Sequence, residues 1–186
     1  MYSHIEKYFS NLNEVLNQDI KNNITKLGKL LFDAWSKKKS VYICGNGGSA
    51  GNAIHIANDM LYGAGKKNGL GIRIEALSAN PAVITCLAND VGYENIFSEQ
   101  IKVKANKGDL LIVLSGSGNS KNIIKAINVA KKIDMKIFGI IGFDGGECKN
   151  LLKNHVHTNI NDMQICEDMQ MIILHICMQW LSKQKI

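Results

Sequence analysis

At 186 residues the chain can bury a substantial core, and its length favours one domain over two. An apolar fraction of 46% with 20% charged residues is ordinary for a globular protein and speaks against disorder. The formal charge of +6 suits anionic partners, yet the lysines are spread along the chain, with Lys37–Lys39 the densest run, which reads as solvated surface rather than as a nucleic-acid patch.

The N-terminal segment MYSHIEKYFSNLNEVLNQ mixes charge with apolar residues and lacks a signal-peptide core. No stretch approaches about 18 uninterrupted apolar residues, so no membrane partner is expected and the cytoplasm is the expected location. Residues 1 to about 37 predict helix, because Ile5, Phe9, Leu12 and Leu16, then Ile24, Leu27, Leu30, Leu31 and Ala34, recur at three and four. Val41–Cys44 then reads as a strand that halts at Gly45-Asn46-Gly47-Gly48, and a helical pattern runs from Ser49 to about Leu61. A short strand is expected at Ile72–Leu77. The strand–turn–helix unit recurs as Asp109–Leu114, Ser115–Ser120 and the helix marked by Ile123, Ile124, Ile127, Ala130 and Ile133. Lys136–Ile141 is a further buried strand closed by Asp144-Gly145-Gly146, and His155–Asn159 a short one in which His155 and His157 are partly exposed.

Apolar strands alternating with helices predict an α/β fold, a three-layer αβα sandwich around a parallel sheet. The last helix, about Asp162 to Ser182, is apolar around nearly its whole circumference, which predicts burial on all sides and hence a homo-oligomer. The cysteines Cys44, Cys86, Cys148, Cys166 and Cys177 form no CxxC pair and read as free thiols.

Two glycine-rich turns sit where parallel sheets bind ligands, beyond the carboxyl ends of strands and at the mouths of helices. Helix starts offer unpaired N–H groups to a phosphate, and serine adds hydroxyl donors. Ser115-Gly116-Ser117-Gly118-Asn119-Ser120 is the favoured phosphate loop, with a plain turn capped by Ser117 or Ser120 as the other reading. Asn46-Gly47-Gly48-Ser49 can cradle a ligand in the same way, or Ser49 is simply an N-cap. The absence of GxxxxGK[ST] excludes a P-loop, and alanine at the third glycine position of Gly45–Ala50 speaks against a dinucleotide, so no nucleotide cofactor is expected.

His55 and Asp59 lie four apart on the helix after the first turn, and Glu167, Met171 and His175 are spaced four and four on the last. A carboxylate and an imidazole in so apolar a helix are costly unless paired or bound. Two uses remain open: a zinc-type ligand set from two His and two carboxylates, or proton shuttling by Asp59 or Glu167 with His175, as ketose–aldose isomerisation through an enediol requires. A packing salt bridge is the third reading.

The segments CGNGGSAGNAIHIANDM, LANDVGYENIFSEQI, LSGSGNSKNIIKAINVAKKIDMKIFGIIGFDGG and the final LHICMQWL together resemble the phosphoheptose isomerase branch of the SIS family. The resemblance implies a single flavodoxin-like SIS domain over residues 1–186, with about 1–37 a helical extension for oligomerisation. It also implies a homotetramer with sites at subunit interfaces, acting on a phosphorylated sugar. The implied reaction converts sedoheptulose 7-phosphate to a heptose 7-phosphate, feeding heptose synthesis for surface polysaccharide. By the family pattern Asn46, Gly47, Gly48, Asn89, Asp90, Ser115, Gly116, Ser117 and Ser120 contact substrate, and Asp59 and His175 are catalytic. Some members hold zinc, at positions that here are His55, Asp59, Glu167 and His175. This chain departs from the pattern: Asp59 stands for a glutamate, Glu167 for a glutamine, Gly116 for a threonine, and Gly63 is near a missing arginine. Gln164 is the other candidate for the role given to Glu167. The altered acid site motivates two rivals, a non-catalytic SIS module binding a sugar phosphate or a protein, and an isomerase of another phosphosugar.

Overall fold

The computed structural model describes residues 1–66 and 69–186. Its elements are α1 (Tyr2–Val15), α2 (Gln18–Ser36), β1 (Val41–Cys44), α3 (Gly48–Asn58), β2 (Ile74–Ala76), α4 (Pro81–Val91), α5 (Ile96–Lys104), β3 (Leu110–Ser115), α6 (Lys121–Lys132), β4 (Lys136–Ile141), α7 (Gly146–Leu151), β5 (His155–His157) and α8 (Met163–Leu181). A π-helical turn over Asp59–Gly63 continues α3, and a 3-10 turn, Tyr93–Asn95, precedes α5.

The five strands form one parallel sheet in the order β2-β1-β3-β4-β5. Alternation across the pleat divides the strand side chains between two cores. Val41, Ile43, Leu110, Ile112, Leu114, Phe138 and Ile140 face one core, shared with α2, α3 and α8. Tyr42, Cys44, Leu111, Val113 and Ile141 face the other, shared with α5, α6 and α7. The expected three-layer α/β sandwich is the observed architecture.

The N-terminal helical stretch is two helices. The chain breaks at Leu16-Asn17, where the Asn17 side chain caps α2 by accepting from the Ile20 N–H at 3.0 Å. α1 lies largely exposed and is tied down by buried Val15 and by Tyr8, whose hydroxyl donates to Asp168 on α8 at 2.5 Å. Burial and that carboxylate push the Tyr8 phenol up to about 12. α4, α5 and α7 carry no clear periodicity in the sequence and were not among the expected elements.

Within the single chain the terminal helix buries one face. One stripe, including Ile165, Met169, Ile173, Leu174 and Leu181, is buried, whereas Met163, Ile176 and Trp180 are exposed. A single chain has only one face to offer the sheet, so the remaining apolar side chains stay on the surface. All five cysteines are free and all but Cys86 are buried. Among the described residues no helix is long and apolar enough to cross a membrane.

Phe138, on β4, is fully buried. Phe138→Ala is expected to lower unfolding stability by about 3–5 kcal/mol, read as a drop in the urea midpoint at unchanged slope.

Candidate active site

The strand order reverses between β1 and β3: from β1 the chain crosses to β2, and from β3 it proceeds the other way. Loops at such a switch point diverge and leave a crevice beyond the strand ends. Gly45–Gly47 leaves β1 there and Gly116–Ser120 leaves β3. The first loop is bonded to the first turn of α6, which follows the second loop, through paired side-chain amides, with Asn46 Nδ2 donating to Asn122 Oδ1 at 2.9 Å and Asn122 Nδ2 to Asn46 Oδ1 at 2.8 Å. Inside the serine loop, Ser115 Oγ accepts from the Gly118 N–H at 3.0 Å and Ser117 Oγ from the Asn119 N–H at 3.2 Å. Ser120 occupies the N-cap position of α6 without a side-chain capping bond.

Ser49 is not the N-cap of α3. Gly47 takes that place, and Ser49 is a buried residue within the helix, its Oγ accepting from Gln170 Nε2 at 3.0 Å. Asn52, one turn on, donates from Nδ2 to Gln170 Oε1 and to the Glu167 carbonyl, both at 3.0 Å. These bonds form a polar seam between α3 and α8 and set the relative axial position of the two helices.

Further along the same contact His55, Asp59 and His175 converge. The two Nε2 atoms are 3.2 Å apart, and each is 3.5 Å from Asp59 Oδ2. Asp59 opens the π-helical turn, which widens the helix where this carboxylate projects. Two imidazole nitrogens this close cannot both bear a proton or both present a bare lone pair; one proton, or one cation, must lie between them. A tetrahedral zinc ion with bonds of about 2.0–2.1 Å spaces its ligands about 3.3 Å apart, so these nitrogen and oxygen donors fit such an ion. The His55 and His175 side chains keep 53% and 39% of their exposure, which leaves one side of the cluster open to a ligand.

A model of the SIS domain family matches residues 6–142. The phosphoheptose isomerase of Helicobacter pylori strain P12 is 36% identical over 172 residues, 92% of this chain and 85% of that protein. That of Geotalea daltonii is 33% identical over 92% of this chain and 88% of its own length. The chain belongs to the phosphoheptose isomerase branch of the SIS family. Its activity is of the isomerase type. The fold agrees with the solved phosphoheptose isomerases from Francisella tularensis (TM-score 0.92, 24% identity, 98% of this chain and 96% of that one) and Neisseria gonorrhoeae (TM-score 0.88, 24% identity, 98% and 99%).

Not every residue implied by the family pattern joins the cluster. Glu167 does not: its carboxylate packs on Gly48 at the opposite end of α3, where a Cβ on Gly48 would come within 2.3 Å of its oxygens. The seven residues from Gly48 to His55 span about 10 Å of helix, beyond the reach of that carboxylate. The ligand set formed within the chain is therefore His55, Asp59 and His175, without the fourth member read from the sequence. Gln164 is exposed. Asn89 and Asp90 stand at the end of α4, bonded to each other through Asn89 Nδ2 and Asp90 Oδ1 at 2.9 Å, and Cys86 donates its thiol proton to Asp90 at 3.4 Å. The glycine at 116 has a steric partner: a Cβ there would meet Met163 Sδ at 2.5 Å.

The reading of the sequence missed Asn52, Tyr93, Asn122 and Gln170. Gln170 could have been found, since an amide between Met169 and Met171 in an apolar helix raises the same question as Glu167 and His175. Gln170→Leu leaves the buried Ser49 hydroxyl and the Asn52 amide short of partners. It is expected to cost about 1–3 kcal/mol of stability, measured by urea unfolding, with the circular dichroism spectrum unchanged.

Proposed function

We propose that the chain interconverts a ketose phosphate and an aldose phosphate through an enediol, with sedoheptulose 7-phosphate and D-glycero-D-manno-heptose 7-phosphate as the pair. The observation that carries this reading is the convergence of Asp59 and His175, distant in sequence, on one point at the end of a helix that begins in the glycine turn. Isomerisation needs a proton removed from one carbon of the substrate and returned to its neighbour. Asp59 as base and His175 as acid, or the reverse, supply the two groups within reach of one ligand. The N–H groups and hydroxyls of Ser115–Ser120 suit the phosphate, and the open start of α3 beside Asn46 and Gly48 suits sugar hydroxyls. Glu167 then acts on substrate at that end of the helix and not as a ligand of its own chain's cluster.

Zinc fits the three-residue donor set as the alternative use of these groups: bound at His55, Asp59 and His175 it would polarise the sugar carbonyl as a Lewis acid, and the His175 nitrogen that held it would then carry no proton to donate. Exposed Ile54, Leu61 and Tyr62, with Ile176 and Trp180 on α8, lie on the elements that carry the cluster. This apolar surface supports a homotetramer with the sites at subunit contacts. The single domain spans residues 1–186, with the N-terminal helices α1 and α2 as its oligomerising extension, working in the cytoplasm and supplying heptose for a surface polysaccharide.

Asp59→Asn and His175→Ala are each expected to lower turnover of sedoheptulose 7-phosphate by at least about 100-fold without changing the assembly seen by light scattering. Full activity in both would refute the assignment. Loss of turnover should be accompanied by loss of deuterium uptake at C1 or C2 of the sugar. Elemental analysis is expected to find zinc in the purified protein and none in His55→Ala; equal zinc in both would rule out the cluster as its site.

A further inference from the structure

The paired amides of Asn46 and Asn122 determine what Asn46 can offer a ligand. Asn122 is 2% exposed, and its Oδ1 accepts from the backbone N–H of Ile123 at 2.9 Å. A backbone N–H can only donate, so this bond identifies which Asn122 side-chain atom is oxygen. Asn122 Nδ2 then donates to Asn46, and the atom it meets, at 2.8 Å, must be Asn46 Oδ1. The same oxygen accepts from the Tyr93 hydroxyl at 3.0 Å. Both lone pairs of Asn46 Oδ1 are thereby filled, and one of its two N–H groups is spent on Asn122 Oδ1. Among the described residues nothing engages the other N–H.

We infer that Asn122 and Tyr93 are positioning residues that hold the Asn46 amide as a one-proton donor, selecting a substrate oxygen with a free lone pair, a hydroxyl or carbonyl, at the mouth of α3. Left unpaired, an asparagine amide flips and presents donor or acceptor with equal ease. Buried Asn122 takes its orientation from the α6 backbone and imposes it on Asn46. Tyr93 closes the remaining acceptor site. The 3-10 turn that carries Tyr93 is braced in turn by Lys125 on α6, whose Nζ donates to Asn95 Oδ1 at 2.9 Å. Three segments distant in sequence thus fix the direction of a single N–H.

The inference rests on the proposed contact between Asn46 and the sugar phosphate, and a double-mutant cycle separates the two. KM and kcat for sedoheptulose 7-phosphate are measured for Asn46→Ala, Tyr93→Phe and the double variant; Tyr93 is 54% exposed, so its substitution leaves folding intact. Asn46→Ala is expected to raise KM about three- to tenfold, and Tyr93→Phe about two- to fivefold, with kcat little changed. In the Asn46→Ala background Tyr93→Phe should add nothing, because the group it acts through is gone. Asn122→Asp, which keeps the oxygen toward Ile123 and loses the donor to Asn46, should raise KM like Tyr93→Phe, with its urea midpoint as the check on folding. A KM raised by Asn46→Ala but untouched by Tyr93→Phe, or multiplied equally in both backgrounds, would overturn the inference and leave the proposed function standing. A KM unmoved by Asn46→Ala would remove the substrate contact and the inference together.

Discussion

The candidate site depends on how α3 is docked against α8. Apolar burial of Ala53, Ile56 and Ala57 on α3 and of Ile173 and Leu174 on α8 anchors both helices in one core but leaves them free to slide along their axes. Ser49, Asn52 and Gln170 remove that freedom, since their hydrogen bonds form at one axial offset only. At that offset the imidazoles of His55 and His175 meet at 3.2 Å. A shift of one residue, about 1.5 Å, would separate them.

The sheet contributes by geometry, not by chemistry. Its strand order brings two glycine-containing loops side by side at the switch point, and it supplies none of the titratable groups in the cluster. Chemistry is instead placed on helix faces whose opposite sides are locked into the core. His55 follows Ala53 and precedes Ile56, both fully buried, so the backbone that carries the imidazole is held by packing while the ring itself stays open to ligand. The same division appears on α8, where His175 follows buried Ile173 and Leu174. An exposed reactive group on a rigid backbone combines access with fixed direction.

The strands and the two loops were legible in the sequence because fully buried parallel strands read as short apolar runs and the glycines punctuate them. α3 and α8 were legible too, and so were His55, Asp59 and His175, because the four-residue spacing on each helix puts the groups on a common face. What sequence could not give was axial register between helices. Glu167 and His175 share a face of α8, but eight residues of helix separate them by about 12 Å, so only one can meet His55. α4 escaped notice because it has no buried residue to set a periodic pattern, and α5 because it is a short helix whose buried residues, Ile96, Phe97, Ser98, Gln100 and Ile101, mix polar with apolar types. Asn122 was invisible for a different reason. It sits among the isoleucines of α6 as any surface asparagine would, and only the fold reveals that it is buried beneath the other loop.

The contact between Gly116 and Met163 carries a consequence for sequence change. Where the family places a threonine in the serine loop, this chain has no side chain, and the volume is taken by a thioether from the first turn of α8. The two positions therefore trade volume. A hydroxyl-bearing residue at 116 would displace the Met163 thioether, the far end of a flexible and exposed side chain that can turn aside. The cost of enlarging residue 116 is therefore a change in the Met163 rotamer and not a shift of backbone.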